Sequence, residues 1–163
     1  MGCGKNTVGT RLASNLDYEF YDMDKYIEDK EGRKISEIFA TDGEAYFRKL
    51  ETLACKELMK KENVVLACGG GTVMKQENVD VLHSGGGRIF FLEVPVPALK
   101  ERLKTDKTRP LLQVPDRNAR IDELYTARYP KYIAAADEVV DAGAPSNWVA
   151  RQMSNRILAE SQK

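Results

Sequence analysis

Histidine is almost missing from this chain, with His83 the only one among 163 residues. Cysteine occurs three times, at Cys3, Cys55 and Cys68, in no CxxC or Cys/His spacing. These shortages exclude a zinc site and a disulfide framework, and scattered thiols fit a reducing, cytoplasmic setting. An excess of one charge is lacking too. Lys+Arg and Asp+Glu each number 25, so the formal net charge is zero. Nothing attracts the chain in bulk to nucleic acid or to an acidic membrane. Any anion site must be local. No apolar run approaches the roughly 20 residues of a membrane span, and no cleavable signal is expected from the first residues. Repeats, low-complexity tracts and dividing linkers are absent, so residues 1–163 are expected to form a single domain.

What is present is 42% hydrophobic and 31% charged, the balance of a globular protein. Strand-like and helix-like stretches alternate. Val8, Leu12 and Leu16 recur every four residues and predict a helix over Lys5–Leu16. Short strands are expected at Glu19–Tyr21, Val64–Ala67, Ile89–Val94 and Glu138–Val140. Between them the pattern predicts helices at Tyr26–Lys30, Ile35–Phe39, Gly43–Lys61, Gln76–His83 and Pro97–Lys104. A further helix, Ala119–Tyr129, is expected to stop at Pro130, and Ser146 to cap the last one. Residues 105–118 read as a charged loop. The alternation implies a parallel sheet covered on both faces, with ligands at the carboxyl ends of its strands.

The unusual residues fall at those ends. Gly2-Cys3-Gly4-Lys5 resembles half of a phosphate-binding loop. Glycines let successive N–H groups face one anion, the helix adds its positive end, and Lys5 adds a mobile cation. The full pattern, GxxxxGK[ST], also needs a glycine two residues before Met1 and a hydroxyl at position 6, where this chain has Asn6. Asp22 and Asp24 follow a strand, two apart, and share a face if the strand geometry persists. One could hold magnesium and the other could take a proton from a hydroxyl, or both could simply cap a helix. Arg48 and Glu51 are spaced to pair on a helix surface. Gly69-Gly70-Gly71 forms an anion-binding nest or a tight turn. Arg109 sits in the charged loop, free to reach a transferring phosphate or to remain solvated. Taken singly, each has an ordinary structural meaning. Together they supply what phosphoryl transfer needs: a cradle, a metal carboxylate, a hydroxyl base and a cationic lid. Arg48, Arg128 and the triple glycine remain as a second anion site, suited to an acceptor bearing both a carboxylate and a hydroxyl.

The ordered series GCGKNTVG (2–9), FYDMD (20–24), ISEIFATDGEAYFRKLE (35–51), ACGGGTV (67–73), TRPLL (108–112) and ARYPKY (127–132) resembles shikimate kinases across nearly the whole chain. GExxFRxxE and the GGG element with RPLL are the specific parts. The resemblance implies a P-loop kinase-like three-layer α/β sandwich. It implies ATP-dependent phosphorylation of the 3-hydroxyl of shikimate with Mg2+, by a cytoplasmic monomer whose partners are small molecules and not nucleic acid or membrane. Gly2, Cys3, Gly4, Lys5, Asn6, Thr7, Arg102 and Arg109 are then expected to contact the nucleotide, with Asn6 and Asp22 serving the metal. Lys5, Asp24 and Arg109 would carry catalysis, with Asp24 as the base. Asp24, Arg48, Gly69, Gly70, Gly71 and Arg128 would bind shikimate, Phe39 and Phe47 would wall its ring, and Glu51 would orient Arg48. The acceptor-binding region spans about 24–51 and the lid about 105–118.

The chain departs from the family pattern in two places. Family members carry an apolar strand and a glycine directly before the position of Met1. That strand lies mid-sheet, between the strands matching Val64–Ala67 and Ile89–Val94. Without it the sheet is expected to have a gap with unpaired backbone groups on both sides, and the chain as given is expected to be part of a longer one. Asn6 is the second departure. An amide oxygen can ligate magnesium, but with a different reach from a hydroxyl, and Thr7 points elsewhere on the helix. The readings left beside the kinase are an impaired or truncated family member that only binds, and a related gluconate or nucleotide kinase. FRxxE, the triple glycine and Arg128 favour a carboxylate-bearing acceptor over the latter.

Overall fold

A computed structural model describes residues 2–161. Helix α1 (Lys5–Leu16) starts at Gly4, whose φ of 79° is left-handed, and ends where Asp17 turns left-handed and returns its N–H to the Ala13 and Ser14 carbonyls. Its apolar face, Val8, Leu12 and Ala13, is buried. Strand β1 (Glu19–Asp22) follows directly. Gly9 lets α1 lie against it, since a Cβ at that position would stand 2.6 Å from the Phe20 ring. After β1 come α2 (Met23–Glu31), α3 (Ile35–Thr41) and α4 (Glu44–Leu58), then β2 (Val64–Ala67) and α5 (Gln76–Ser84). Strand β3 (Phe90–Glu93), α6 (Val96–Leu103), α7 (Arg117–Ala135), β4 (Glu138–Asp141) and α8 (Ser146–Glu160) complete the order.

The strands pair in parallel as two separate ladders. In the first, Phe20 lies opposite Val65 and Asp22 opposite Ala67. In the second, Phe90 lies opposite Glu138 and Glu93 opposite Asp141. No ladder joins β2 to β3. Between them is a cavity of about 620 Å³ whose walls include Val64, Leu66, Phe90 and Leu92, with Val8 and Leu12 against it. This is the gap expected from the sequence resemblance. Its signature is also in the strands: every residue of β3, and all of β2 except Ala67, is only half-buried, whereas strands inside a parallel sheet are normally covered throughout. Helices cover both sides. Val8, Leu12, Val140, Val149, Ala150 and Met153 form one core between α1 and α8. Met23, Ile27, Ile38, Phe47, Ala54, Cys55 and Leu82 form the other.

Three local expectations are corrected. Helix α7 does not stop at Pro130 but continues to Ala135. Pro130 faces solvent, where water can satisfy the carbonyl it leaves unpaired. Tertiary bonds clamp the helix around it: Tyr129 Oη donates to Glu93, Lys131 Nζ to the Met74 carbonyl, and Tyr132 Oη to the Gly70 carbonyl. Ser146 is the first residue of α8 rather than its cap, a place taken by Pro145. Asp22 and Asp24 do not share a strand face, because Met23 already begins α2.

Gly9→Ala should destabilise the protein by roughly 1–3 kcal/mol through overpacking, outweighing the ~1 kcal/mol that alanine gains in helix propensity. A urea denaturation midpoint that stayed level or rose would show that α1 does not lie this close to β1.

Candidate active site

The phosphate loop is built by backbone conformation. Gly2 and Gly4 both have positive φ, and no side chain caps the first turn of α1. Its leading N–H groups are therefore free to meet an anion. Lys5 is the first residue of that helix, and Cys3 lies half-buried between the two glycines. Arg102, near the end of α6, donates to the Gly2 carbonyl at 2.9 Å, which places it against the loop. Thr7 is exposed on α1.

At the end of β1, Asp22 is both a cap and a candidate ligand. Its Oδ1 accepts from the Asp24 N–H at 3.0 Å, capping α2. Its Oδ2 accepts from Asn6 Nδ2 at 2.7 Å. The amide thus spends its nitrogen on Asp22 and leaves Oδ1 for another partner. Two oxygen sources, Asn6 and Asp22, fit magnesium, which is commonly held by one or two protein oxygens plus phosphate oxygens and water. No group of three or more His, Cys, Asp or Glu side chains among the described residues could hold a metal alone.

Asp24 sits one step further in. Burial is the main reason its pKa is raised above the usual carboxylate value. Lys5 opposes the rise, Asp22 and Glu51 add to it, and Arg109 opposes it. Charges on the glycine loop, at the end of β1, on α4 and in the 105–118 loop therefore all bear on one carboxyl.

The acceptor side is organised around Arg48. Its Nη1 donates to Glu51 Oε1 at 2.5 Å and its Nη2 to Glu44 Oε1 at 3.1 Å. Burial works against the cation, but Glu51 and Glu44 more than offset it and raise its pKa. The guanidinium rests on Gly71, where a Cβ would stand 2.4 Å from Nη1. It also lies 5.3 Å from the Phe47 ring centroid, and Phe47 contacts Phe39 at 5.1 Å between centroids. Arg128 is buried on α7, one turn before Tyr132. The Tyr132 hydroxyl donates to Gly70 O at 2.5 Å, tying α7 to the triple glycine.

In the 105–118 segment, Arg109 is held by Asp106: its Nη1 pairs with that carboxylate and its N–H donates to Oδ1 at 3.0 Å. The short turn Pro110–Leu112 that follows packs toward α3.

The structure thus gathers Lys5, Asn6, Asp22, Asp24, Arg48, Gly69–Gly71 and Arg128 at the strand ends, with Arg102 and Arg109 on flanking segments. Several partners escape sequence reasoning. Glu51 is not on the helix surface; it is fully buried. Thr72, which donates to it, and Tyr132 fall inside the runs 67–73 and 127–132 but carried no role there, and Asp106 carried no signal of its own.

A sequence model of the family described as shikimate kinase matches residues 1–159. A shikimate kinase of Burkholderia lata is 44% identical over 146 residues, covering 90% of this chain and 79% of that protein. One from Neisseria gonorrhoeae is 43% identical over 142 residues, covering 87% and 83%. The solved structure of the Acinetobacter baumannii shikimate kinase in complex with shikimate superposes with a TM-score of 0.94 at 36% identity, covering 100% of this chain and 91% of that one. A gluconokinase from Sinorhizobium meliloti shares the fold alone, with a TM-score of 0.56 at 17% identity.

Because the folded protein raises the Asp24 pKa above its unfolded value of 3.8, it binds that proton more tightly than the unfolded chain does. The stabilisation is complete below that value and is lost as pH rises through the folded pKa, so ionised Asp24 is a strain at neutral pH. Asp24→Asn should therefore raise Tm at pH 7, and the gain should shrink as pH falls toward 4. A Tm that drops at pH 7 would contradict this placement of Asp24.

Proposed function

The chain belongs to the shikimate kinase family, and from that premise we propose how its residues divide the work. The enzyme transfers the γ-phosphoryl group of ATP to the 3-hydroxyl of shikimate, giving shikimate 3-phosphate in aromatic amino-acid biosynthesis. ATP is the co-substrate.

The observation that carries the assignment of roles is Asp24, whose carboxyl has raised basicity and feels charges from both halves of the site. A base of this kind takes the proton of the 3-hydroxyl as its oxygen attacks the γ-phosphorus. The Gly2–Gly4 backbone and the start of α1 cradle the phosphates, Cys3 and Thr7 flank them, and Lys5 neutralises the outer charge. Mg2+, when bound, would neutralise phosphate oxygens from a site held by Asn6 and Asp22. Arg48 and Arg128 would take the shikimate carboxylate, Gly69–Gly71 would let the ring approach, and Phe39 and Phe47 would wall it. Arg109 would leave Asp106 for the phosphates as the lid at 105–118 closes over the acceptor region at 24–51, and Arg102 would lie by the adenine. No described helix is long and apolar enough to cross a membrane. We read the chain as a single-domain, cytoplasmic monomer acting on small molecules.

The split sheet beneath the phosphate loop favours one second reading, a family member that binds shikimate without turning it over. A coupled ADP-release assay across shikimate, gluconate and nucleoside monophosphates, run beside calorimetric titration, separates the readings. Turnover with shikimate alone is expected; binding without turnover would establish the second reading. In the same assay Asp24→Asn should lose about 10²–10⁴-fold in kcat while ATP binding survives. Arg48→Ala should weaken shikimate binding, and an effect confined to ATP would misplace the acceptor pocket. Asn6→Ser should tighten MgATP and lower the magnesium needed for half-saturation, because it frees Asp22 and restores a hydroxyl. The idea fails if ATP affinity, magnesium dependence and kcat all stay unchanged.

A further inference from the structure

Glu51 is a carboxylate with no access to water, and only one of its oxygens is occupied by Arg48. A buried charge with an empty lone pair is costly unless a second donor reaches it. That donor is Thr72, itself fully buried, whose Oγ1 donates to Glu51 Oε2 at 2.8 Å. Met23 Sδ lies 3.4 Å from the same hydroxyl, but one proton serves one acceptor well and the carboxylate is the stronger. Thr72 is held in turn. Its N–H donates to the Gly69 carbonyl at 3.1 Å, closing the glycine turn. Its carbonyl accepts from Asn78 Nδ2 at 2.8 Å. Asn78 is buried and its Oδ1 has no partner among the described residues. An unpaired buried oxygen is tolerated where the rest of the side chain holds something in place.

Arg48 is shared between two acids: buried Glu51 holds Nη1 and half-exposed Glu44 holds Nη2. The pose on Glu51 sets the guanidinium against Gly71, in the turn that Thr72 completes. We propose that Thr72 is a positioning residue for the acceptor pocket: its hydroxyl fixes Glu51, and Glu51 so fixed keeps one side of the Arg48 guanidinium against Gly71 while the other side bonds Glu44. This rests on the reading above that Arg48 binds the acceptor carboxylate. Thr72 itself is fully buried. It acts through two side chains, anchored from α5 by Asn78.

The test is Thr72→Val, which keeps the shape and removes the donor. Expected is a rise of about 10-fold in KM for shikimate, the scale of one lost buried hydrogen bond, with KM for ATP unchanged and kcat within about twofold. Thr72→Ser should restore wild-type KM. In the Thr72→Val background, Glu44→Gln should recover part of the lost shikimate affinity, since Glu44, already bonded to Nη2, is the acid that draws the guanidinium outward once Glu51 is loosened. If Thr72→Val folds poorly, Thr72→Ala and calorimetric shikimate binding at low temperature give the same comparison. A merely structural role would lower Tm and affect both substrates alike, and that result would overturn the proposal. So would an unchanged KM for shikimate, or no recovery with Glu44→Gln. If the wild type does not turn over shikimate at all, it is the functional reading that fails; if it does and Thr72→Val leaves KM alone, this inference fails by itself.

Discussion

The buried carboxylate of Glu51 is the constraint around which the acceptor half of this protein is organised. Lying on α4, it has no water to solvate it, so its neighbours must. Arg48 from its own helix and Thr72 from the glycine turn answer that need, and in doing so they lock helix, turn and pocket together. The same charge contributes to the raised pKa of Asp24. A single buried carboxylate thus holds a guanidinium in place and adds to the basicity of a neighbouring carboxyl. Gly69 follows from it as well, because a Cβ there would come within 2.8 Å of Glu51 Oε2.

The nucleotide half depends on a different support. Its loop is backbone geometry, two left-handed glycines and an uncapped helix start, and it rests on α1. That helix packs against β1 through Gly9 and against α8 through Val8 and Leu12. Beside it the two parallel ladders stand apart, with the cavity between β2 and β3 reaching Cys3 and Lys5. The acceptor half is closed by buried hydrogen bonds, whereas the phosphate loop borders open space. The two halves meet at β1, where Asn6 and Asp24 share Asp22.

Several features were legible from local sequence because local chemistry decides them. Glycine adopts positive φ without the steric cost other residues meet, so Gly2 and Gly4 announce a turn with exposed N–H groups. A four-residue apolar period announces α1, and its bounds match those expected. Val64–Ala67 does the same for β2 through β-branched residues before a glycine run. The cap meaning of Asp22 holds, and its second oxygen faces Asn6, since a carboxylate has lone pairs enough for both.

What local pattern could not decide are the partners that lie far along the chain. Whether Arg48 and Glu51 form a weak surface pair or a buried one depends on a turn about 20 residues away. Whether a helix survives Pro130 depends on bonds to Glu93, Met74 and Gly70. Whether Asn6 is a spare ligand or Asp22's partner depends on β1. In each case the side chain is the same and the burial differs, and burial sets the cost of leaving a polar group unpaired. Sequence alone determined the chemistry available to this protein: glycines for phosphate, carboxylates for metal and proton, arginines for an acid. Tertiary structure decided which of those groups are desolvated, and hence which carboxylate is forced to hold Arg48 and which is raised in basicity.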